Sequence, residues 1–227
     1  MTALSITGGT VIDPIGGTTE PGEIACADEK MCITAADGAQ QIDASGLHVA
    51  PGIIDLGAFG VDIPACIAGG ITRVALMPDQ SPAIDEPAMV QHAAAAGKPS
   101  LWIHPIGAAT FGLKGDEIAE FGLMKRAGAV AVSTGRKQIS NSGTMQRVLS
   151  YAAALDLVVI AHAEDAGLSR EAVATHGETA TRLGLPSASA ISESIAISRD
   201  LLLAEETGAH IHFRTVTTAR GFELIRA

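Results

Sequence analysis

Aromatic side chains make up only 3% of this 227-residue chain. So small an aromatic fraction disfavours an aromatic-laden β-sandwich, and the dominance of Ala, Gly, Ile, Leu and Val suits helices packed closely on a parallel sheet. Cations are also few: 15 Lys and Arg stand against 25 Asp and Glu, a formal charge of −10. That excludes the concentrated basic surface a nucleic-acid binder needs. The three cysteines, Cys26, Cys32 and Cys66, are odd in number and form no C-x-x-C. A disulfide framework and a zinc knuckle are therefore excluded, and reduced thiols are expected. No uncharged apolar run reaches the ~18 residues of a membrane span, and the start has no basic, then apolar, leader pattern. A cytoplasmic protein without membrane or nucleic-acid partners is the expectation. Gly8-Gly9 and Gly69-Gly70 lack the spacing of a phosphate loop, and no serine sits in G-x-S-x-G.

What is present is ample material for a core, 47% apolar residues. From Leu4 to about Leu47, short β-like pieces alternate with turns at Gly8-Gly9, Pro14, Gly16-Gly17, Pro21-Gly22 and Asp37-Gly38, which predicts a small β-domain of hairpins over residues 1–50. Over 51–227 the pattern changes. Strand-like runs at Ile53 to Leu56, Thr72 to Met77, Ser100 to Pro105, Ala129 to Ser133, Val158 to His162 and His210 to Val216 alternate with helical stretches. Those helices are predicted near Pro87 to Ala96, Asp116 to Ala127, Ser142 to Ala154, Ala188 to Thr207 and Thr218 to Arg226. Such alternation predicts an α/β fold with a parallel sheet, open or closed as a barrel. Six units fall short of an eight-unit barrel, which takes about 250 residues, so a barrel truncated before its last units is expected.

Five motifs then occur in order. They are I-D-A-S-G-L-H-V-A-P-G-I-I-D-L from Ile42, A-G-G-I-T-R-V-A-L-M-P-D-Q-S-P from Ala68, V-I-A-H-A-E-D from Val159, the run from Ser192 to Phe213, and T-T-A-R-G-F-E-L-I-R from Thr217. Their order and spacing resemble the dihydroorotase branch of the amidohydrolase family along nearly the whole chain. The resemblance implies an N-terminal β-sandwich portion, a metal-dependent (β/α) TIM-type barrel, and a place in pyrimidine biosynthesis, interconverting carbamoyl aspartate and dihydroorotate. A metal-bound hydroxide is central to that chemistry, because an amide carbonyl is a poor electrophile and water a poor nucleophile.

The residues at the positions the resemblance marks do not match that chemistry. Gly57 and Phe59 stand where the family carries H-x-H after the first barrel strand. Ser133 or Thr134 stands at the bridging position after the fourth, and Thr215 at the ligand position of the sixth. Only His162, after the fifth, is a surviving ligand, and the catalytic aspartate expected after the eighth strand lies beyond Ala227. The substrate-gripping arginine is missing from Gly60 to Ala68, which reads as a short bypass, and Asp79 replaces the substrate-binding asparagine in M-P-N-T-x-P. One imidazole cannot enforce a site that takes three or four protein ligands. The chain thus resembles most a non-catalytic dihydroorotase homologue, without a cofactor, and an assembly subunit for aspartate carbamoyltransferase or a self-associating protein is the implied role. The alternative is an active cyclic amidohydrolase with a rearranged mononuclear zinc centre built from His162 and His104, which is placed at the end of the third strand. His210 and His212 differ from Thr215 by odd numbers and are expected on the opposite strand face. Arg136 and Lys137 offer a possible anion loop, with Ser140 or Asn141 capping the next helix; Glu164-Asp165 reads as a further cap, and Arg199-Asp200 as a helix-face ion pair.

Overall fold

The structure is a computed structural model that describes residues 3–28, 30–32 and 34–227. The chain divides into two compact units, Met1–Ile53 and Ile54–Ala227.

The first unit is one five-stranded sheet, comprising β1 (Leu4–Asp13), β2 (Thr18–Ala27), β3 (Lys30–Cys32), β4 (Gln40–Asp43) and β5 (His48–Val49). β1 and β2 form an antiparallel hairpin and β3 follows as a second one. The expectation of hairpins throughout is corrected by β4 and β5, which both run parallel to β1. Turn residues signal that the chain reverses but not which strand it then joins. β1 shifts register between Ile6 and Gly9, where Gly8 has φ +76 and a Cβ would come within 2.6 Å of Ser45 Oγ. Glycine is required there on both counts.

The second unit alternates strand and helix as its sequence pattern foretells. β6 (Ile53–Ala58) opens at the unit boundary and is followed by α1 (Ile63–Ala68), β7 (Ile71–Leu76), α2 (Pro87–Ala95), β8 (Trp102–Ala108), α3 (Phe121–Ala127), β9 (Ala131–Ser133), α4 (Ser142–Ala154) and β10 (Val158–His162). A small insertion holds α5 (Ala166–Ser169), β11 (Ala174–Thr175), α6 (Glu178–Arg182) and β12 (Ser187–Ala188) before α7 (Ile191–Thr207), β13 (Ile211–Arg214) and α8 (Ala219–Arg226). The six longer strands form one sheet in chain order, β6-β7-β8-β9-β10-β13, with each recorded pairing parallel.

Alternate residues of these strands face opposite layers. Val74, Leu76, Ile103, Val132, Val159 and Ala161 join Val90, Phe121, Met124, Met145 and Leu149 in the core under the helices. The opposite face carries a smaller cluster, Met77, Ile106 and Ala131, packed with Phe59, Ala75 and Ile160. Local signals set the helix ends. The Asn141 side chain accepts from Thr144 N at 2.9 Å to start α4, and Gly208 at φ +66 stops α7; a cap of the first kind contributes about 1 kcal/mol.

Three boundaries differ from the sequence pattern. Gly60 to Ala68 is no bare bypass, since Asp62 caps the short helix α1 through Ala65 N at 3.0 Å. The helix predicted from Asp116 begins only at Phe121, because Thr110 and Ile118 bridge to each other ahead of it. β8 continues through Pro105 to Ala108. Proline deprives it of one N–H, yet Pro105 O still accepts from Val130 N at 3.1 Å.

Candidate functional site at the strand ends

The C-terminal ends of parallel strands are where an α/β sheet collects functional side chains. Cα pairing fixes which residues share a level here. Ala108, Ser133, Ile160 and His212 make one rung, and His162 with Arg214 makes the next above it. Ile160 belongs to the inner cluster, so these rungs face the inner side.

That register corrects the placement of His212. Its face was reckoned from Thr215, but β13 ends at Arg214 and Thr215 has φ +61. Parity holds only within a regular strand. His212 points to the inner side below Arg214, while Ile211 and Phe213 pack toward the helices. His104 is also corrected. It pairs with Ala75 in mid-strand, four residues below Ala108, and lies 3.2 Å from Arg73 Nη1. Four residues of strand are about 13 Å, so His104 is no neighbour of His162 at the rim. Burial, then the charges of Arg73 and Lys98, hold its imidazole below the usual pKa.

At the rim itself, the structure shows the use each marked position is put to. Gly57 has nothing within 4 Å of where a Cβ would stand, so space alone does not bar a larger side chain. Phe59 is half-buried and two guanidiniums lie over its ring, with Arg136 Cζ 4.0 Å and Arg214 Cζ 4.5 Å from its centroid. Each such contact is worth roughly 0.5–2 kcal/mol. Ser133 is fully buried and accepts the Gly135 N–H at 3.0 Å. Thr134, 4% exposed, accepts the His162 N–H at 3.0 Å and so ties β9 to β10. His162 Nε2 lies 3.0 Å from Glu164 Oε2. The other cap residue, Asp165, holds α5 through Gly167 N and Leu168 N.

Asp79, half-buried after β7, accepts the Arg136 N–H through Oδ1 at 3.0 Å. Gly135, at φ +73, makes the turn that lets this happen. Burial, opposed by the Asp79 carboxylate and reinforced by Arg136, brings Arg214 below its ordinary pKa, although a guanidinium stays charged at neutral pH. Among the described residues, the buried side-chain atoms without a partner are Asp79 Oδ2, His162 Nδ1 and Arg214 Nη1, all from this rim. Arg214 was missed by the sequence reading; a cation at a strand's end was its only local sign.

The metal that the family implies does not fit this donor set. Among the described residues no three His, Cys, Asp or Glu side chains lie together as ligands, and hydroxyls already bonded to the backbone do not replace a bridging anion.

Comparison with known proteins decides the ancestry. The family model described as dihydro-orotase-like matches residues 51–220. The chain belongs to the dihydroorotase-like family. Among its relatives are the dihydroorotase of Pelotomaculum thermopropionicum, 41% identical over 98% of this chain and 56% of that protein, and the dihydroorotase-like protein of Pseudomonas putida, 34% identical over 98% and 57%. This member of the family thus spans little more than half the length of the curated relatives it matches. Among solved structures, the L-hydantoinase of Arthrobacter aurescens superposes with a TM-score of 0.76 over 99% of this chain and 55% of that one. At 22% identity that likeness establishes the fold, an amidohydrolase barrel of which six strands are seen here. Among the described residues no helix is long and apolar enough to cross a membrane.

Proposed function

We propose that this chain is a non-catalytic dihydroorotase-like protein of pyrimidine biosynthesis whose role is assembly, with aspartate carbamoyltransferase as the partner. The observation that carries the reading is Phe59. It stands at the position marked for a ligand and brings two guanidiniums within 4.5 Å of its ring centroid, and two such charges repel a divalent cation. Ser133, Thr134 and Thr215 supply no carboxylate or imidazole beside it. The outer helices, by contrast, rest on a dry and continuous core and offer broad faces for contacts. A cytoplasmic setting agrees with three free thiols.

Two measurements test this together. Dihydroorotate hydrolysis is assayed with added zinc, and a tagged chain is used to recover aspartate carbamoyltransferase. Absence of turnover with co-purification is the expected pair of results; zinc-dependent turnover refutes the non-catalytic half, and failure to associate refutes the other. A second reading, a rearranged mononuclear enzyme, draws on the open Nδ1 of His162 and on relatives named dihydroorotase. Stoichiometric zinc in chelator-free protein would favour it.

A further inference from the structure

The rim that lacks metal ligands has a surplus of cations in a chain that is otherwise acidic. Arg136, Lys137 and Arg214 gather at one place, whereas the whole sequence carries −10. Asp79 is the carboxylate that acts on Arg214, and its Oδ1 is already engaged by the Arg136 backbone. Among the described residues no carboxylate lies within 4.0 Å of either guanidinium. A cavity of about 280 Å³ opens beside them, lined by Arg136, Lys137, Thr134 and Asp79.

We propose that this cavity binds a phosphate group, held by Arg136 and Lys137 and selected by Asp79. The cations and the Thr134 hydroxyl supply donors to an oxyanion. Asp79 decides which oxyanion. Its unpartnered Oδ2 needs a donor, and beside a ligand that is itself an anion only a proton on that ligand prevents repulsion. Hydrogen phosphate carries such a proton near neutrality; sulfate and simple carboxylates do not. A carboxylate within a basic pocket therefore makes a filter for protonated oxyanions, just as a site built around a hydrogen bond rejects the analogue that cannot make it. Of the buried atoms left unpaired at this rim, Asp79 Oδ2 belongs to a residue that lines this cavity. The inference rests on the non-catalytic reading, because a resident metal would itself attract the phosphate.

The test is calorimetric titration of the full chain with sodium phosphate, glycerol phosphate and sodium sulfate at equal ionic strength. Saturable 1:1 binding of phosphate at least tenfold tighter than sulfate is expected. Arg136→Gln should weaken it at least tenfold, Lys137→Gln likewise, and Asp79→Asn should bring sulfate within about threefold of phosphate. Arg182→Gln, a cation on α6 outside this cavity, should change nothing. The glycerol phosphate arm separates the two sources of the group. Exclusion of the ester, whose phosphate is largely unprotonated near neutrality, assigns the site to the free ion, and binding of the ester more tightly than inorganic phosphate overturns selection by a proton. Because Arg136 is exposed, its variant keeps the fold, and broadening of the ³¹P line by the unaltered chain but not by Arg136→Gln gives an independent readout. Equal binding of sulfate and phosphate, or binding unchanged in Arg136→Gln, overturns the proposal. Zinc content of the same preparation separates the two ideas: stoichiometric zinc refutes the non-catalytic reading, and phosphate binding abolished by a chelator overturns this one.

Discussion

The two faces of the six-stranded sheet have been treated differently. On the helix side, Val132, Val159, Ala161, Met145 and Leu149 are fully buried in one core shared by β9, β10 and α4. On the inner side, apolar packing is thinner, and it ends at a rim where Phe59 is shared by two arginines. The lesson is that the fold rests on the first face, whereas the second face leaves room for polar and charged side chains at its rim. Helix-side packing is a volume constraint that every substitution must respect. Rim residues answer to the groups they meet, and here the Phe59 ring meets two guanidiniums.

The largest effect expected along this divide is Leu149→Ala, which removes a fully buried side chain from the helix-side core. It should cost about 2–5 kcal/mol in denaturant unfolding. A loss below 1 kcal/mol would show that this face is not the stable part of the chain. Glu193→Gln comes next. Glu193, 7% exposed on α7, accepts from both the N–H and the hydroxyl of Thr217 and Thr218, and so docks the start of α8. Replacing one oxygen by an amide leaves donors facing donors, at a cost of about 1–3 kcal/mol.

The same residue has a pH signature. Burial raises its pKa, but the bonds from Thr218 and Thr217 outweigh burial and hold it below the ordinary glutamate value. A depressed carboxylate contributes stability that is present above its unfolded pKa and lost as pH falls through the folded one. Acid titration of the unfolding free energy should therefore steepen below about pH 4.5 in the unaltered chain and flatten in Glu193→Gln.

Phe59→Ala probes the inner rim. It forfeits two guanidinium contacts and a half-buried ring, and about 1–2 kcal/mol of destabilisation is expected; a larger loss would place Phe59 with the core rather than the rim. Leu56→Ser is the smallest. Leu56 is 75% exposed on β6, and its replacement should shift stability by less than about 0.5 kcal/mol. A clear loss there would mean that something covers this strand in solution.

Several elements were legible from local pattern because the signals that make them are local. Pro87 opens α2, Asn141 caps α4, Asp165 caps α5, and the Val158 to His162 run is β10 to the residue. The Arg199–Asp200 pair was legible too, although its further bond to Ser140 O at 3.2 Å was not. Failures occurred where a distant strand intervened. Pro105 reads as a stop, yet β8 runs on because β7 and β9 bracket it. Parity counted from Thr215 fails because the left-handed backbone there breaks the alternation. Arg214 carries no motif, and its significance exists only beside Phe59, which is 155 residues away along the chain.

The alternation of strands and helices over residues 51–227 and the α/β class followed from the amino-acid sequence by itself, since apolar periodicity, caps and motif spacing act over a few residues. Tertiary structure alone decided that Phe59 is gripped by Arg136 and Arg214, that His212 faces inward, and that Glu193 anchors α8. The reason is register: which residues share a rung depends on how strands slide against one another, and that is set by packing across the whole sheet.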